Sequence, residues 1–301
     1  MLQNPQFCAI IVSFNPEVEV LLSLLRELGR QSPFILVDNN SSNLKEFSPL
    51  VESMHGCREL MHLDANYGLA SAMNKGLRKA QAAGADYIVF FDQDSAIEEG
   101  FVSALYESMQ EAERLSPLPV AAVGARITNP LSRKAMPFKI FSAMFHRSDR
   151  HYPRSKNLYE ADFLISSGCM ISMAALQAIG DMKEDYFIDN IDLEWCFRAK
   201  AKGYELVGCD SAVLLHSIGE ESDNALVKAG LITQHSPLRS YYSTRNRFHL
   251  YGQAHAPWGW KLRDFPRFIL KTLYLLVTSS KRREYWQQIR RGQLDSKRFA
   301  S

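Results

Sequence analysis

Apolar and polar positions fall into two recurring patterns along this chain. Phe7–Phe14 reads Phe-Cys-Ala-Ile-Ile-Val-Ser-Phe, a continuous apolar run closed by Asn15-Pro16. A helical period follows, with Leu21, Leu22, Leu24, Leu25 and Leu28 on one broad face of Val18–Leu28 and Gly29 as the stop. Short runs of the first kind return at Phe34–Val37, Glu59–Leu63, Tyr87–Phe91 and Val120–Ile127, and helical patterns return at Leu44–Met54, Leu69–Ala83 and Phe101–Arg114. Runs this short, rich in β-branched and aromatic residues, read as strands buried on both faces. Their alternation with helices predicts an α/β protein: a Rossmann-like, mostly parallel sheet flanked by helices.

In such sheets ligands bind beyond the carboxyl ends of the strands, so the polar tips Ser13–Asn15, Asp38–Ser41, Asn66–Gly68 and Asp92–Ser95 should gather at one edge. No Gly-x-Gly-x-x-Gly follows the first strand and no P-loop occurs, which removes the usual dinucleotide and nucleoside-triphosphate fingerprints. The central tip is Tyr-Ile-Val-Phe-Phe-Asp-Gln-Asp-Ser, Tyr87–Ser95. In an extended backbone Asp92 and Asp94 point the same way and can share a divalent cation, Mg²⁺ or Mn²⁺. The competing reading is a polar turn capping a helix near Glu98.

A second acidic cluster, Asp189-Asn190-Ile191-Asp192-Leu193-Glu194-Trp195, opens a helix that runs to about Lys202 and stops at Gly203. Asp189 and Asp192 are expected on one face at its N-terminal end, and Glu194 and Arg198 as a surface pair. Capping alone would also account for the group. Val213–Leu215 is another short strand, ending at His216, and an isolated histidine is more often a satisfied core or surface residue than a ligand. Thr128–Glu160 is polar and interrupted by Pro130, Pro137 and Pro153, which suits a binding loop with some strand pairing. Ala161–Met173 is apolar and β-prone, with Gly168 marking a bulge or close backbone approach.

The 301-residue chain is long enough for one large or two fused domains, and 46% hydrophobic with 23% charged residues is the composition of a folded protein. Five scattered cysteines without a Cys-x-x-Cys pair argue for a reducing compartment and against a zinc site. No signal peptide is visible, which predicts the cytoplasm. Charge sharpens the picture: from Lys261 onward eleven Lys/Arg face three Asp/Glu, a net +8, while residues 1–260 carry −6. A basic tail with Trp258, Trp260, Tyr285 and Trp286 nearby suits the anionic inner face of a membrane, and Phe265–Thr278 is too short to span one, so it reads as a buried or interfacial helix. Confinement of positive charge to the tail argues against nucleic acid.

The series Ile-Val-Ser-Phe-Asn-Pro, Val-Asp-Asn-Asn-Ser, Asn-Tyr-Gly-Leu-Ala-Ser-Ala-Met-Asn-Lys-Gly, Phe-Phe-Asp-Gln-Asp-Ser and Phe-Ile-Asp-Asn-Ile-Asp-Leu-Glu-Trp-Cys-Phe-Arg resembles family 2 glycosyltransferases of the GT-A (nucleotide-diphospho-sugar transferase) fold. Phe-Asp-Gln-Asp-Ser, Leu-Ile-Ser-Ser-Gly-Cys and Tyr-Tyr-Ser-Thr-Arg-Asn-Arg further resemble bacterial rhamnosyltransferases. The resemblance spans Phe7 to Tyr251 and implies an inverting, metal-dependent transfer of L-rhamnose from dTDP-β-L-rhamnose. The implied acceptor is a hydroxyl of a lipid-linked or polysaccharide precursor of the cell surface, of lipopolysaccharide or rhamnolipid type. It implies that Phe14, Asn15, Asp38, Asn66 and Gly68 line the nucleotide pocket, with Asp38 accepting from a pyrimidine N3–H. It further implies that Asp92, Asp94 and His216 hold the metal, with Asp92 also facing the nucleotide sugar. Asp192 is then the general base and Asp189 orients sugar or acceptor. The expected organisation is a donor half over 1–100, an acceptor and catalytic half over 101–220, and a basic helical extension over 221–301. Competing classes are a haloacid-dehalogenase-like phosphatase, whose motif normally follows the first strand, another GT-A enzyme using a UDP-sugar, and a catalytically silent nucleotide-binding subunit.

Overall fold

The computed structural model describes residues 5–130, 133–141, 147–215 and 236–300. The first half alternates as the sequence predicts: β1 (Phe7–Ser13), α1 (Val18–Gln31), β2 (Phe34–Asp38), α2 (Leu44–Glu52), β3 (Cys57–His62), α3 (Leu69–Ala82), β4 (Tyr87–Asp92), α4 (Phe101–Leu115) and β5 (Val120–Thr128). Two short strands, β6 (Lys139–Ile140) and β7 (Arg147–Ser148), form a separate hairpin, and β8 (Leu158–Ala161), β9 (Cys169–Ser172), α5 (Met173–Ile179), α6 (Ile191–Ala201) and β10 (Glu205–Leu215) follow. Three helices close the chain: α7 (Pro237–Gly252), α8 (Trp258–Thr278) and α9 (Arg282–Asp295).

One eight-stranded sheet, ordered β3-β2-β1-β4-β9-β5-β10-β8, runs through residues on both sides of position 100. It is parallel except for β9, which runs against β4 and β5, and β8, which runs against β10. Two apolar layers cover it. On one face α1, α2 and α4 pack Leu21, Leu25, Leu28, Phe47, Leu105 and Met109 onto β1, β2 and β5. On the other, α3, α5 and α6 add Leu77, Leu176, Trp195 and Phe197, and Trp260 of α8 joins that layer. Complete burial of such side chains on both faces is why these strands read as continuous apolar runs.

Three elements differ from the sequence reading. The final strand starts at Glu205, eight residues before Val213, because a register shift between Cys209 and Val213 leaves Asp210 and Ser211 facing solvent and breaks the apolar run. Within Ala161–Met173 only the last residues pair as β9, and α5 begins at once in the same apolar stretch with no polar boundary to announce it. Glu194 and Arg198 do pair, through 2.8 and 3.0 Å bonds, but Glu194 is buried and Arg198 also donates to the carbonyls of Ile179 and Asp181, so this is an internal brace and not a surface pair. The Thr128–Glu160 excursion is anchored on Arg126, which donates to Asp149 (2.6 Å), Asp210 (2.5 Å) and the Met136 carbonyl (3.0 Å).

Candidate active site

The carboxyl ends of β1, β2, β3 and β4 bring the predicted polar tips to one edge. Asp38, the last residue of β2, is fully buried and accepts from Ser13 Oγ (3.0 Å), from the Ser41 amide (2.9 Å) and from the Ser41 hydroxyl, while His62 Nδ1 lies 3.1 Å from Oδ2. Its oxygens are therefore committed within the protein, and of these partners His62 is the exposed one. Asn15, in the left-handed region at φ 48°, donates its amide to Ser41 (2.8 Å) and accepts at Oδ1 from the Ser42 amide and hydroxyl. Asn39 donates to Asn66 (2.9 Å), which also accepts from the Gly68 amide, so the β2 tip is tied to the loop before α3. Gly68 has φ 85°, and a Cβ there would meet Phe187 at 2.6 Å. This glycine is required twice over, for its backbone angle and for the approach of a second loop.

β4 ends at Asp92, and Asp94 lies in a turn closed by the Ser95 amide to the Asp92 carbonyl (3.2 Å), not in extended backbone. The helix that follows starts only at Phe101, after a left-handed Gly100, so the Asp-Gln-Asp-Ser turn does not cap it. Gln93 imitates a peptide group: its Oε1 accepts from the Phe14 amide (2.7 Å) and its Nε2 donates to the Phe14 carbonyl (3.3 Å), locking the turn to the β1 tip. Ser167 donates to neither acid but accepts from the Asp92 amide (3.0 Å) and pairs with Ser95 (2.8 Å). Asp92 is half-buried, Asp94 and Phe14 exposed. Beyond the turn, Ala96 and Leu215 exchange two 2.9 Å backbone bonds. His216, the residue after Leu215, lies outside the described residues. Among those described, no three metal-ligating side chains converge, so Asp92 and Asp94 would supply two oxygen ligands of the kind Mg²⁺ and Mn²⁺ take.

The second acidic cluster is shaped by a loop whose residues Phe187, Asp189 and Asn190 all have positive φ, with α6 starting at Ile191. Asp189 thus lies outside the helix and Asp192 in its first turn. Non-glycine residues in this region cost on the order of 1 kcal/mol each and persist only where surroundings hold them. Here α7 does so. Asn246, fully buried, donates Nδ2 to the carbonyls of Tyr186, Ile188 and Asp189 (2.8 to 2.9 Å), and Arg245 donates to the Asp185 carbonyl and to Asn246 Oδ1. Arg239 grips Asp189 with bonds of 2.9 and 3.2 Å, and Phe187 stacks on Tyr242 at 4.6 Å between centroids. Tyr186 OH and Nδ1 of His249 lie 2.8 Å apart, and burial pushes the imidazole's pKa down to about 4, so a neutral ring bonds the phenol.

Asp192 is the electrostatic outlier. Burial raises its carboxyl to about 7, and the carboxylates of Asp92 and Asp189 add to the effect against a lowering bond from the Leu193 amide. Asp92 bears on Asp192, and the acid loop meets the strand tips where Phe187 packs on Gly68, so the two acidic clusters, a hundred residues apart in sequence, are neighbours at the sheet edge. A carboxylate with a pKa near 7 is suited to removing a proton at neutral pH.

The structure therefore brings together Phe14, Asn15, Asp38, Asn66, Gly68, Asp92, Asp94, Asp189 and Asp192. Sequence reading set Ser13, Ser41 and Gln93 among the polar tips without a role for them, and it missed the parts played by His62 beside Asp38, Ser167 behind Asp92, and Arg239 and Asn246 behind the acid loop. The signal for Asn246 was Tyr-Tyr-Ser-Thr-Arg-Asn-Arg, polar residues in a helix with no amphipathic logic of their own.

Comparison with known proteins shows the family. The chain is 30% identical over 293 residues to the dTDP-rhamnosyl transferase RfbF of Shigella flexneri, covering 95% of this chain and 93% of that one. It is 23% identical over 221 residues to the low-salt glycan biosynthesis hexosyltransferase Agl10 of Haloferax volcanii, covering 69% and 66%. Among solved structures, GalNAc-T7 with UDP, GalNAc and Mn²⁺ shares the fold with a TM-score of 0.60 at 12% identity, over 93% of this chain but only 58% of its own. Residues 1–349 of S. aureus TarS, in complex with UDP-GlcNAc, give 0.53 at 13% identity, over 98% and 73%. The family model described as Glycosyl transferase family 2 matches residues 8–180, which with these relatives sets aside the phosphatase alternative: the chain belongs to glycosyl transferase family 2 and is a glycosyltransferase.

Proposed function

We propose that this glycosyltransferase moves L-rhamnose from dTDP-β-L-rhamnose to a hydroxyl of a lipid-linked or polysaccharide precursor of the bacterial surface, with inversion. The observation that carries the reading is the packing of the acid loop on the strand tips, Phe187 against Gly68, which sets Asp192, a carboxylate raised to about 7, near Asp92 at the sheet edge. The donor assignment is supported by the 30% identity to a dTDP-rhamnosyl transferase over nearly the whole chain. Phe14, Asn15, Asn66 and Gly68 form the nucleotide pocket, and Asp38 receives the base N3–H once His62 turns out. Asp189, held by Arg239, orients the sugar. Asp192 takes the proton of the acceptor hydroxyl as its oxygen attacks the anomeric carbon, the bond from that carbon to the diphosphate breaks, and dTDP leaves.

Asp92 and Asp94 would hold a Mg²⁺ or Mn²⁺ ion, with His216 as the third ligand. This assignment is supported by the paired bonds between Ala96 and Leu215, which put the residue preceding His216 beside the acid turn. Such an ion supplies charge neutralisation for the leaving diphosphate. The test is calorimetric titration of the protein with dTDP-, UDP- and GDP-sugars, with and without Mn²⁺. Metal-dependent preference for dTDP-L-rhamnose is expected. Tighter binding of a UDP-sugar would remove the rhamnosyl assignment and leave the family.

The protein also sits at an anionic membrane surface in this reading. No helix among the described residues is long and apolar enough to cross a membrane. The outer face of α8 is nevertheless apolar: Trp258 (74% exposed), Leu262, Phe265, Ile269, Leu273 and Val277 face solvent, while Trp260 and Leu275 are its buried residues. An exposed apolar stripe beside the basic Lys281-Arg282-Arg283 suits a helix lying in the headgroup layer. Leu273→Glu should lower co-sedimentation with phosphatidylglycerol vesicles by about tenfold without affecting dTDP binding. Unchanged vesicle binding would remove this part of the reading.

A further inference from the structure

Asp38 is more heavily occupied than a carboxylate awaiting a ligand needs to be. A carboxylate offers about four lone-pair sites. Ser13 Oγ (3.0 Å) and the Ser41 hydroxyl donate to Oδ1, and the Ser41 amide (2.9 Å) and His62 Nδ1 (3.1 Å) stand at Oδ2, so every site is taken. Whether the ring is neutral or charged, the nitrogen facing Oδ2 carries a hydrogen, because two lone pairs at that distance repel. The pairing of β2 with β3 dictates this contact. Asp38 and His62 are register partners at the ends of two parallel strands, so their side chains leave the sheet on the same face. The Leu63 amide donates to the Asp38 carbonyl (2.9 Å) one step further on and holds the two ends together.

The four donors are not held alike. The Ser41 amide is main chain, Ser13 is fully buried in β1, and the Ser41 hydroxyl is fixed from its other side by the Asn15 amide (2.8 Å). The His62 side chain is 46% exposed, whereas that of Asp38 is completely covered. An N–H arriving from solvent therefore meets a carboxylate whose solvent-side position is filled by the imidazole, through a bond that an ionised acceptor strengthens. We infer that His62 is an internal competitor for the nucleotide base. In the empty protein it holds on Asp38 the place of the pyrimidine N3–H, and the cost of displacing it sets the affinity of the donor site. This inference rests on the proposed role of Asp38 toward the base. It differs in sign from a base contact, since removing the ring strengthens binding. The cost falls equally on the donor and on the dTDP left after transfer, so the competitor weakens both and favours product release.

The test is calorimetric titration of the full chain, in Mn²⁺, with dTDP and with N3-methyl-dTDP, which has no N–H to offer Asp38. His62→Ala should bind dTDP about tenfold more tightly than the unmodified protein does, as expected when one charge-assisted bond no longer has to be broken. Its affinity for the methylated analogue should change by less than about twofold. A residue that only supported the fold would move both ligands together. Unchanged dTDP affinity in the variant would overturn the proposal, and so would weaker binding, which would make the ring itself a contact of the base. A second measurement needs no variant: in the ¹⁵N-histidine spectrum of the unmodified protein, dTDP should shift one ring, of the eight in the chain, that N3-methyl-dTDP leaves in place. The absence of such a shift would also overturn it. Failure of the underlying reading would look different. The unmodified protein would then bind dTDP and its methylated analogue equally, and Asp38 would not receive the base at all.

Discussion

The two acidic clusters are neighbours at the sheet edge and are built in opposite ways. The Asp92–Asp94 turn is the tip of a central strand, fixed by close neighbours in the sheet: Gln93 pairs with the Phe14 backbone and Ser167 accepts from the Asp92 amide. The loop carrying Asp189 and Asp192 holds three non-glycine residues at positive φ and depends on α7, with Arg239 reaching Asp189 from 50 residues downstream. One cluster is supported by the sheet, the other by a clamp that can be removed without touching the sheet. Damage to the clamp should therefore slow the chemistry, and damage to the strand tip should weaken donor binding.

The largest effect is expected at the base itself. Asp192→Asn should lower turnover by about a thousandfold, within the range general bases contribute, while folding is kept. Next comes the clamp. Asn246→Ala removes the donor shared by the Tyr186, Ile188 and Asp189 carbonyls and should cost about 2 kcal/mol in stability and about a hundredfold in turnover through misplacement of Asp192. Its donor affinity should stay within about twofold, whereas Gln93→Ala should weaken donor binding by about fivefold, one lost neutral hydrogen-bond pair, with turnover at saturation nearly intact. If Asn246→Ala lost donor affinity and Gln93→Ala lost turnover, the division between the clusters would be refuted.

The smallest effect is on stability, and its sign follows from the raised carboxyl. Asp192 titrates near 7 in the folded chain against an ordinary value of 3.8, so between these values the folded state holds the proton more tightly. Its contribution is favourable below pH 3.8, declines as pH rises, and is lost above 7. In metal-free buffer Asp192→Asn should therefore unfold at a higher temperature than the unmodified protein at pH 8, by about 2–4 °C for each kcal/mol relieved, and at the same temperature at pH 3.5. A thermal melt at the two pH values reads the difference. An equal shift at both would mean that the carboxyl is not strained by its surroundings.

Legibility in the sequence followed the same division. The sheet's alternation of strands and helices and the tips Asn15, Asp38 and Asp92 could be read because each tip ends a continuous apolar run, and Asn66 because it lies in the local pattern before α3. The left-handed loop before α6 could not, because the residues that hold it, Arg239 and Asn246, sit on a helix whose polar positions follow no period. Gln93 was hidden for another reason: its role as a substitute peptide group depends on the parallel pairing of β1 with β4, which brings Phe14 beside it. β10 was half missed because Asp210 and Ser211 at its register shift look like a turn in one dimension.

Titration of Asp192→Asn with dTDP-L-rhamnose, with and without Mn²⁺, tests the account most directly when run beside the unmodified protein. Metal-dependent binding with a dissociation constant within about twofold of the unmodified protein, and no release of dTDP when acceptor is added, is the predicted result, because removing the base spares the strand tip. Loss of donor binding in the variant, or transfer at an undiminished rate, would contradict it.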